Sequence, residues 1–370
     1  MLSPDRRVLL LEQLRAKGSM KVTELMSVLG VTDVTVRRDI NELVRAGLAD
    51  RFHGGVTLSA RGRTESQQPW DASAEVRTLR FGVLLPDNGY FREVLTGIAE
   101  ATTRMNARQA LMLSRYDAVS DLAAVRSLVQ DKVDGLLLAP SDAHNTGNAQ
   151  FAEELRALPI PVVLLERRLD ATVLVDSLDH VVSDHDTGAR MGVEHLARLG
   201  HRRVALITKE IGPTSARVRA GYTHAVRALE LDTDLPPIEV PQLSTVDNGS
   251  NRRFADAVAA LRDLRATAVL IHGDPEAVAL LQLARERGLR VPVDLAVVSY
   301  DDDMGAYASI PLTAVAPPKR QLGETAVEML TKRIRQGSAR PVQHTLLQPT
   351  LVIRDSCGAG KRERRGAGPR

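Results

Sequence analysis

The sequence predicts a two-module protein: a small, mostly helical N-terminal module, then a large α/β module built on parallel sheets. Three observations lead there. Residues 1–58 carry short amphipathic helical patterns ended by glycines. Residues 79–355 alternate continuous apolar runs with amphipathic stretches. Residues 59–78 between them are polar and without apolar period, as a linker is. The 370 residues suit two or three domains at about 100–200 residues each.

In the first module a helix is predicted over residues 5–16, with Val8, Leu11 and Leu14 on one face. A second starts near Thr23 as N-cap, buries Leu25 and Leu29, and ends at Gly30. A third follows Thr32, whose hydroxyl can accept from a free N–H of the first turn. Val36, Ile40 and Leu43 recur at i, i+4 and i+7 as its buried stripe, and Gly47 stops it. Its other face shows Thr35, Arg38 and, toward the edge, Arg37; Asp39 is expected to orient or pair with the two arginines. Residues 48–58 read as two short strands around a turn of His53, Gly54 and Gly55. Short hydroxyls such as Thr23, Thr32 and Thr35 suit close approach to base edges in a major groove about 12 Å wide, and guanidiniums suit guanine or phosphate. The helical pattern alone would equally fit a small dimerisation or docking domain.

In the second module, strands are predicted at 81–85, 136–139, 162–165, 204–208, 268–271 and 295–299, with helices over 186–199 and 275–287. Continuous apolar strands are buried on both faces, which is the habit of parallel sheets. Ligands of such sheets bind beyond the strand C-termini. The candidates are therefore Asp87, Asn88, Tyr90 and Phe91, then Ser141 and Asp142, Glu166 and Arg167, Asp184, Asp274 and Asp301. Carboxylates and guanidiniums accept from and donate to hydroxyls, which suits a polyol, with Tyr90 or Phe91 stacking on a sugar face. For Asp87, Asp142 and Asp274 the alternative of capping the next helix stays open.

Specific wording sharpens both halves. The run VTELMSVLGVTDVTVRRDINELVRAGLADRFHGG resembles the DeoR-type winged helix-turn-helix over residues 6–58. DeoR-type regulators usually continue into a sugar-phosphate-sensing domain that resembles an isomerase, and this chain does not. Segments such as VVSDHDTGARMGVEHLARLGHRRVALIT, RERGLRVPVDLAVVSYDD and PLTAVAPPKRQLGETAVEML resemble the LacI-family effector domain, related to type I periplasmic sugar-binding proteins. The resemblance implies two parallel-sheet subdomains joined by three crossovers, one of about 79–180 plus 319–345, the other about 182–315 plus 346–355. It places Asp301 at a ligand-binding position and asks Arg217 or Arg219 for an effector-binding arginine, although three residues before Gly221 stands Val218. An amide is missing at Gly273-Asp274, and Pro317-Pro318-Lys319 replaces a Gln-Pro, so that Lys319 brings a charge suited to a carboxylate or phosphate on the ligand or to an unusual sugar. The implied function is a transcriptional regulator, a repressor by preference. Its partners would be double-stranded operator DNA, a carbohydrate effector (a purine or nucleoside being the alternative) and a second copy of itself. LacI-type repressors insert a hinge helix after their DNA reader; residues 59–78 offer none.

Competing classes find little support. One cysteine makes no internal disulfide and no Cys-rich zinc site. His180, Asp184, His185, Asp186 and His195 crowd one segment without an i, i+4 histidine pair, and Asp301-Asp302-Asp303 lacks the spacing of a calcium loop. No GxSxG elbow or phosphate loop occurs. No enzyme, cofactor or metal is expected. A signal peptide and a membrane span are not visible, so a cytoplasmic protein without a membrane partner is expected, not a transport binding protein. The net charge of +3 hides an uneven distribution: residues 1–63 hold 11 basic and 7 acidic residues, residues 64–355 hold 33 and 38, and residues 356–370, expected to be a disordered tail, hold 5 and 1.

Overall fold

The structure, a computed structural model, describes Arg6, residues 9–11, 13, 14, 17–45, 47–59, 78–114, 118–140, 149–167, 178–210, 212–232, 234–241 and 248–359. The linker beyond Ser59, residues 360–370 of the expected tail, and Ser141 and Asp142 lie outside them. The start of that tail departs from expectation: Ser356 and Cys357 are buried in a short 3-10 turn, where the Ser356 hydroxyl donates to the Val297 carbonyl. The chain divides into two units, Met1–Thr78 and Leu79–Arg370.

In the first unit β1 (Ser19–Lys21) leads into α1 (Val22–Leu29), followed by α2 (Asp33–Arg45) and the hairpin β2 (Ala49–Phe52) and β3 (Gly55–Leu58). The three strands form an antiparallel sheet in the order β1-β3-β2. Leu10, Leu11 and Leu14 join Leu25, Leu29, Val36, Ile40 and Leu43 in one core with Met20 and Val56. Each such side chain contributes about 1.5–3 kcal/mol by burial. Two sequence expectations change. Thr23 is no N-cap, because α1 starts at Val22 and the Glu24 carboxylate accepts from the Lys21 N–H. Gly55 is not in the turn: it pairs with Phe52, leaving His53 and Gly54 as a two-residue turn with Gly54 at φ 81°. Strand β1 has no signal in the sequence, since three residues are too few to show alternation.

The second unit holds two six-stranded sheets. The first uses β4 (Arg80–Pro86), β5 (Arg108–Ser114), β6 (Gly135–Leu138), β7 (Val162–Leu165), β8 (Asp179–Ser183) and a later strand, β14 (His344–Leu347). The second uses β9 (Val204–Lys209), β10 (Ile238–Val240), β11 (Ala268–Ile271), β12 (Ala296–Tyr300), β13 (Thr313–Ala316) and β15 (Thr350–Val352). The sheet orders are β5-β4-β6-β7-β8-β14 and β10-β9-β11-β12-β13-β15. All pairs are parallel except β13 with β15. The chain therefore passes between the sheets three times: after β8, after β13 and after β14. The crossovers fall at 183–185, 316–319 and 347–350, a few residues beyond two of the expected boundaries because β8 and β14 finish in the first sheet.

Each sheet is covered on both faces. Helices α3 (Tyr90–Arg104) and α10 (Lys319–Gln336) pack on one face of the first sheet, α4 (Ala118–Gln130) and α5 (Ala149–Arg156) on the other. On the second sheet α6 (His185–Arg198) and α7 (Pro213–Ala228) share one face, α8 (Asn248–Asp263) and α9 (Asp274–Glu286) the other. Glycine sets the closest approach: a Cβ on Gly97 would stand 2.0 Å from the Arg320 carbonyl oxygen, and one on Gly323 2.2 Å from that of Val94. In both sheets the second strand in sequence lies outside the first and the third lies inside it. Connections therefore leave in opposite directions between β4 and β6 and between β9 and β11, which opens a crevice at the strand C-termini.

Candidate DNA interface and effector cleft

Helix α2 buries Val36, Asp39, Ile40 and Leu43 and turns Val34, Arg37, Arg38, Asn41 and Arg45 outward. The Thr32 and Thr35 hydroxyls lie 3.1 Å apart at its start. Arg37 reaches back to Asp33 at 2.6 Å, an exposed pair that leaves its guanidinium free to re-pair. Asp39 departs from expectation. It is buried and takes a two-pronged grip from Arg6, Nε to Oδ2 at 2.5 Å and Nη2 to Oδ1 at 3.2 Å, so it fastens the first helical segment and not Arg37 or Arg38. His53 and Gly54 are exposed at the hairpin tip, whereas Gly55 is buried against Phe52 and Met20. Thr23 is exposed on α1. Three residues that sequence reasoning missed complete this face: Arg51 of the hairpin, which bonds Asn41 of α2, and Val34, which is 78% exposed. Val34 breaks the apolar period of its helix, the one signal that was available.

The cleft of the second unit is built around Glu166, which follows β7 with φ 52°. Its Oε1 accepts from the Tyr90 hydroxyl at 2.5 Å and the Ser183 hydroxyl at 2.6 Å; its Oε2 accepts from the Ser183 N–H at 3.0 Å and faces His185 Nε2 at 3.3 Å. Burial alone would raise this carboxyl, but His185, Ser183 and Tyr90 together outweigh it and hold it at about 2. His185 Nδ1 lies 3.1 Å from the Tyr300 hydroxyl. Because a carboxylate only accepts, the proton shared with Glu166 sits on Nε2. Burial and neighbouring acids push the Tyr90 and Tyr300 hydroxyls well above their ordinary range, so both serve as donors.

Asp301 follows β12 with φ 98°, and its Oδ1 is buried without a hydrogen-bond partner. Burial, against the pull of Lys319 and Lys209, raises it to about 6. Such a group costs about 1–3 kcal/mol until a donor arrives. Lys319, expected to offer its charge to an anionic ligand, is already used. It is 5% exposed, donates to the Asp301 carbonyl at 2.5 Å and to the Asp303 carboxylate, and lies 4.8 Å from the centre of the Tyr90 ring. The anionic-ligand expectation loses its support there, because Asp303 matches the charge.

Other expected residues are placed as follows. Phe91 is 4% exposed, packs in the first-sheet core and lies under Arg167, so its ring offers no face to a sugar. Asn88, just ahead of α3, accepts from the Phe91 N–H at 3.4 Å, and Asp184 caps α6 by accepting from the Thr187 N–H. Asp274 is consumed by the Ser299 hydroxyl and the Met304 and Gly305 N–H groups, which hold the following turn. Val218 is fully buried; Arg219 pairs with Glu239 at 3.1 Å, and Arg217 is exposed on α7. Asp87 is exposed after β4. Sequence reasoning also missed His185 as a cleft residue, along with Ser183, Tyr300, Lys209 and Glu276. Their relevance depends on contacts between residues far apart in the chain.

An outward Thr/Arg/Asn helix in one unit and a polar crevice in the other define the class: a DNA-binding transcriptional regulator with a sensor domain. The family model of the DeoR-like helix-turn-helix domain matches residues 6–61, and that of a periplasmic binding protein-like domain matches residues 193–357. The arabinose metabolism transcriptional repressor of Geobacillus stearothermophilus is 25% identical, over 87% of this chain and 86% of its own. The ribose operon repressor of Haemophilus influenzae is 28% identical, over 76% and 81%. A crystal structure of a LacI-family regulator from Enterococcus faecium with bound ribose covers 75% of this chain and 98% of its own, with 26% identity and a TM-score of 0.61. The chain thus joins a DeoR-like helix-turn-helix domain to a periplasmic binding protein-like domain, and the latter is similar to that of LacI-family regulators. Among the described residues no helix is long and apolar enough to cross a membrane.

Proposed function

We propose that this regulator is a homodimeric repressor, not an enzyme, whose hold on operator DNA is released by a carbohydrate in the cleft of the second unit. One observation carries the reading: the chain that bears a DNA-reading helix also holds an unpartnered buried carboxylate oxygen, Asp301 Oδ1, which calls for a hydroxyl donor. Thr35, Arg38 and Asn41 supply hydroxyl, guanidinium and amide donors toward base edges, and Val34 suits a thymine methyl. His53 and Gly54, exposed at the hairpin tip, would touch the sugar-phosphate backbone. In the cleft a polyol would meet Asp301 and the Tyr90–Glu166 pair, a reading supported by the bond from Tyr90 to Glu166 and by Lys319, which holds the Asp301 loop from α10. That the named relatives regulate arabinose and ribose genes, and that the Enterococcus structure holds ribose, supports the effector class.

The test has two arms. A thermal-shift screen of neutral sugars, sugar phosphates and purines should single out a neutral sugar, because a ligand stabilises the state it binds. Arg38→Ala should weaken operator binding by about 1–3 kcal/mol and leave that thermal shift unchanged. Stabilisation by a purine alone, or full operator affinity in the variant, would reject the corresponding half.

A further inference from the structure

The crevice between β9 and β11 holds groups that the described contacts leave unexplained. Lys209 ends β9, and its Nζ lies 3.8 Å from Glu276 Oε1. Glu276, in the first turn of α9, is 1% exposed, and its Oε2 has no hydrogen-bond partner. The fully buried Ser215, in the first turn of α7, has an unpartnered Oγ as well. With Asp301 Oδ1, these unpartnered atoms all fall at the C-terminal end of one sheet. Gly273 explains how Glu276 gets there. At φ 108°, a Cβ on this residue would stand 2.1 Å from Glu276 Oε2 and 3.3 Å from Lys209 Nζ. The carboxylate thus fills the place that a side chain at 273, where an amide was expected, would take. The arginine expected three residues before Gly221 is likewise absent, since Val218 is core. Lys209 supplies a cation at this end of the sheet: after burial, its charge helps lower buried His272, while neighbouring Arg219 is drawn off to Glu239.

We propose that Lys209 and Glu276 are specificity-determining effector contacts, a lysine–glutamate pair standing in for an arginine and an amide. The inference rests on the cleft being the carbohydrate site. Glu276 Oε2 and Asp301 Oδ1 each accept from a ligand hydroxyl, Lys209 donates to a ligand oxygen, and Ser215 takes whichever role remains. The ligand is a neutral polyol. A phosphate or carboxylate would meet Glu276 and Asp301 with Lys319 already matched by Asp303.

The experiment is calorimetric titration of the full chain with D-ribose, L-arabinose and D-ribose 5-phosphate, on wild type, Glu276→Gln and Lys209→Met. The amide keeps the size of Glu276, and unfolding midpoints and operator binding check that both variants are folded. The expected result is that one neutral sugar binds and ribose 5-phosphate binds at least tenfold more weakly, with each variant losing at least tenfold for the sugar. If the sugar binds both variants within twofold of wild type, the pair is not a contact, and the carbohydrate reading survives. Loss in only one variant overturns the pairing, and a preference for the phosphate overturns the neutral ligand. Failure of every sugar to bind wild type overturns the carbohydrate reading and this inference together.

Discussion

Asp301 and Glu166 are two buried carboxylates with opposite prospects. Asp301 is held near 6, above its ordinary 3.8. The folded chain therefore keeps this proton more tightly than the unfolded chain does. Its ionisation costs stability that accrues between pH 4 and 6 and stays lost above that window. Asp301→Asn should accordingly raise the sugar-free unfolding midpoint at pH 7.5 while abolishing the shift caused by sugar; a variant that melts lower, or still responds, would contradict the assignment. In wild type, sugar affinity should fall up to about tenfold per pH unit below 6, because only the ionised carboxylate accepts from a hydroxyl at both oxygens. Glu166, held at about 2 against an ordinary 4.5, works the other way. Its stabilisation is complete above pH 4.5 and fades as pH falls toward 2. Glu166→Gln should cost on the order of 3 kcal/mol at pH 7, and next to nothing at pH 2, in denaturant melts. The sequence pointed to both residues by their place after strands. It did not show their partners, because Ser183, His185 and Tyr300 reach Glu166 or one another only through the fold.

At the scale of elements, α2 was the most legible piece, since one period of Val36, Ile40 and Leu43 states both its buried and its outward face. Fully apolar strands such as 268–271 were equally clear. What stayed hidden was short or at an edge: β1 has one buried residue, and β5 has exposed Leu111 and Leu113 where a buried strand was the template. Asp39 shows a second limit, because local spacing suggested Arg37 and Arg38 while the partner lies 33 residues earlier. That grip matters to a module of this size, which buries little surface on folding. Breaking a buried pair by removing one partner costs about 3–5 kcal/mol. Asp39→Ala should therefore unfold the N-terminal unit at a lower temperature than the second unit. The expected calorimetric trace has two transitions, with operator binding lost and the sugar-dependent shift of the later transition kept. A single unshifted transition would show that Arg6 and Asp39 contribute nothing to the module.

For the molecule as a whole, charge separates the two binding events. The first 63 residues carry 11 basic against 7 acidic side chains, and residues 64–355 carry 33 against 38. Operator affinity should therefore fall steeply with salt, as counterions released from phosphates are replaced. Affinity for a neutral sugar has no such term and should stay flat. If sugar and operator favour different states of one chain, each must weaken the other by the same factor, typically about 5–150-fold. That factor belongs to the conformational equilibrium and not to the phosphate contacts. Operator dissociation constants measured at several salt concentrations, with and without saturating sugar, should then give two parallel lines on logarithmic axes. The vertical gap should equal the loss of sugar affinity on adding operator at any one salt concentration. Lines that converge as salt rises would mean that the sugar changes the number of phosphate contacts, and a gap unequal to the reciprocal measurement would mean that the two sites do not share one equilibrium.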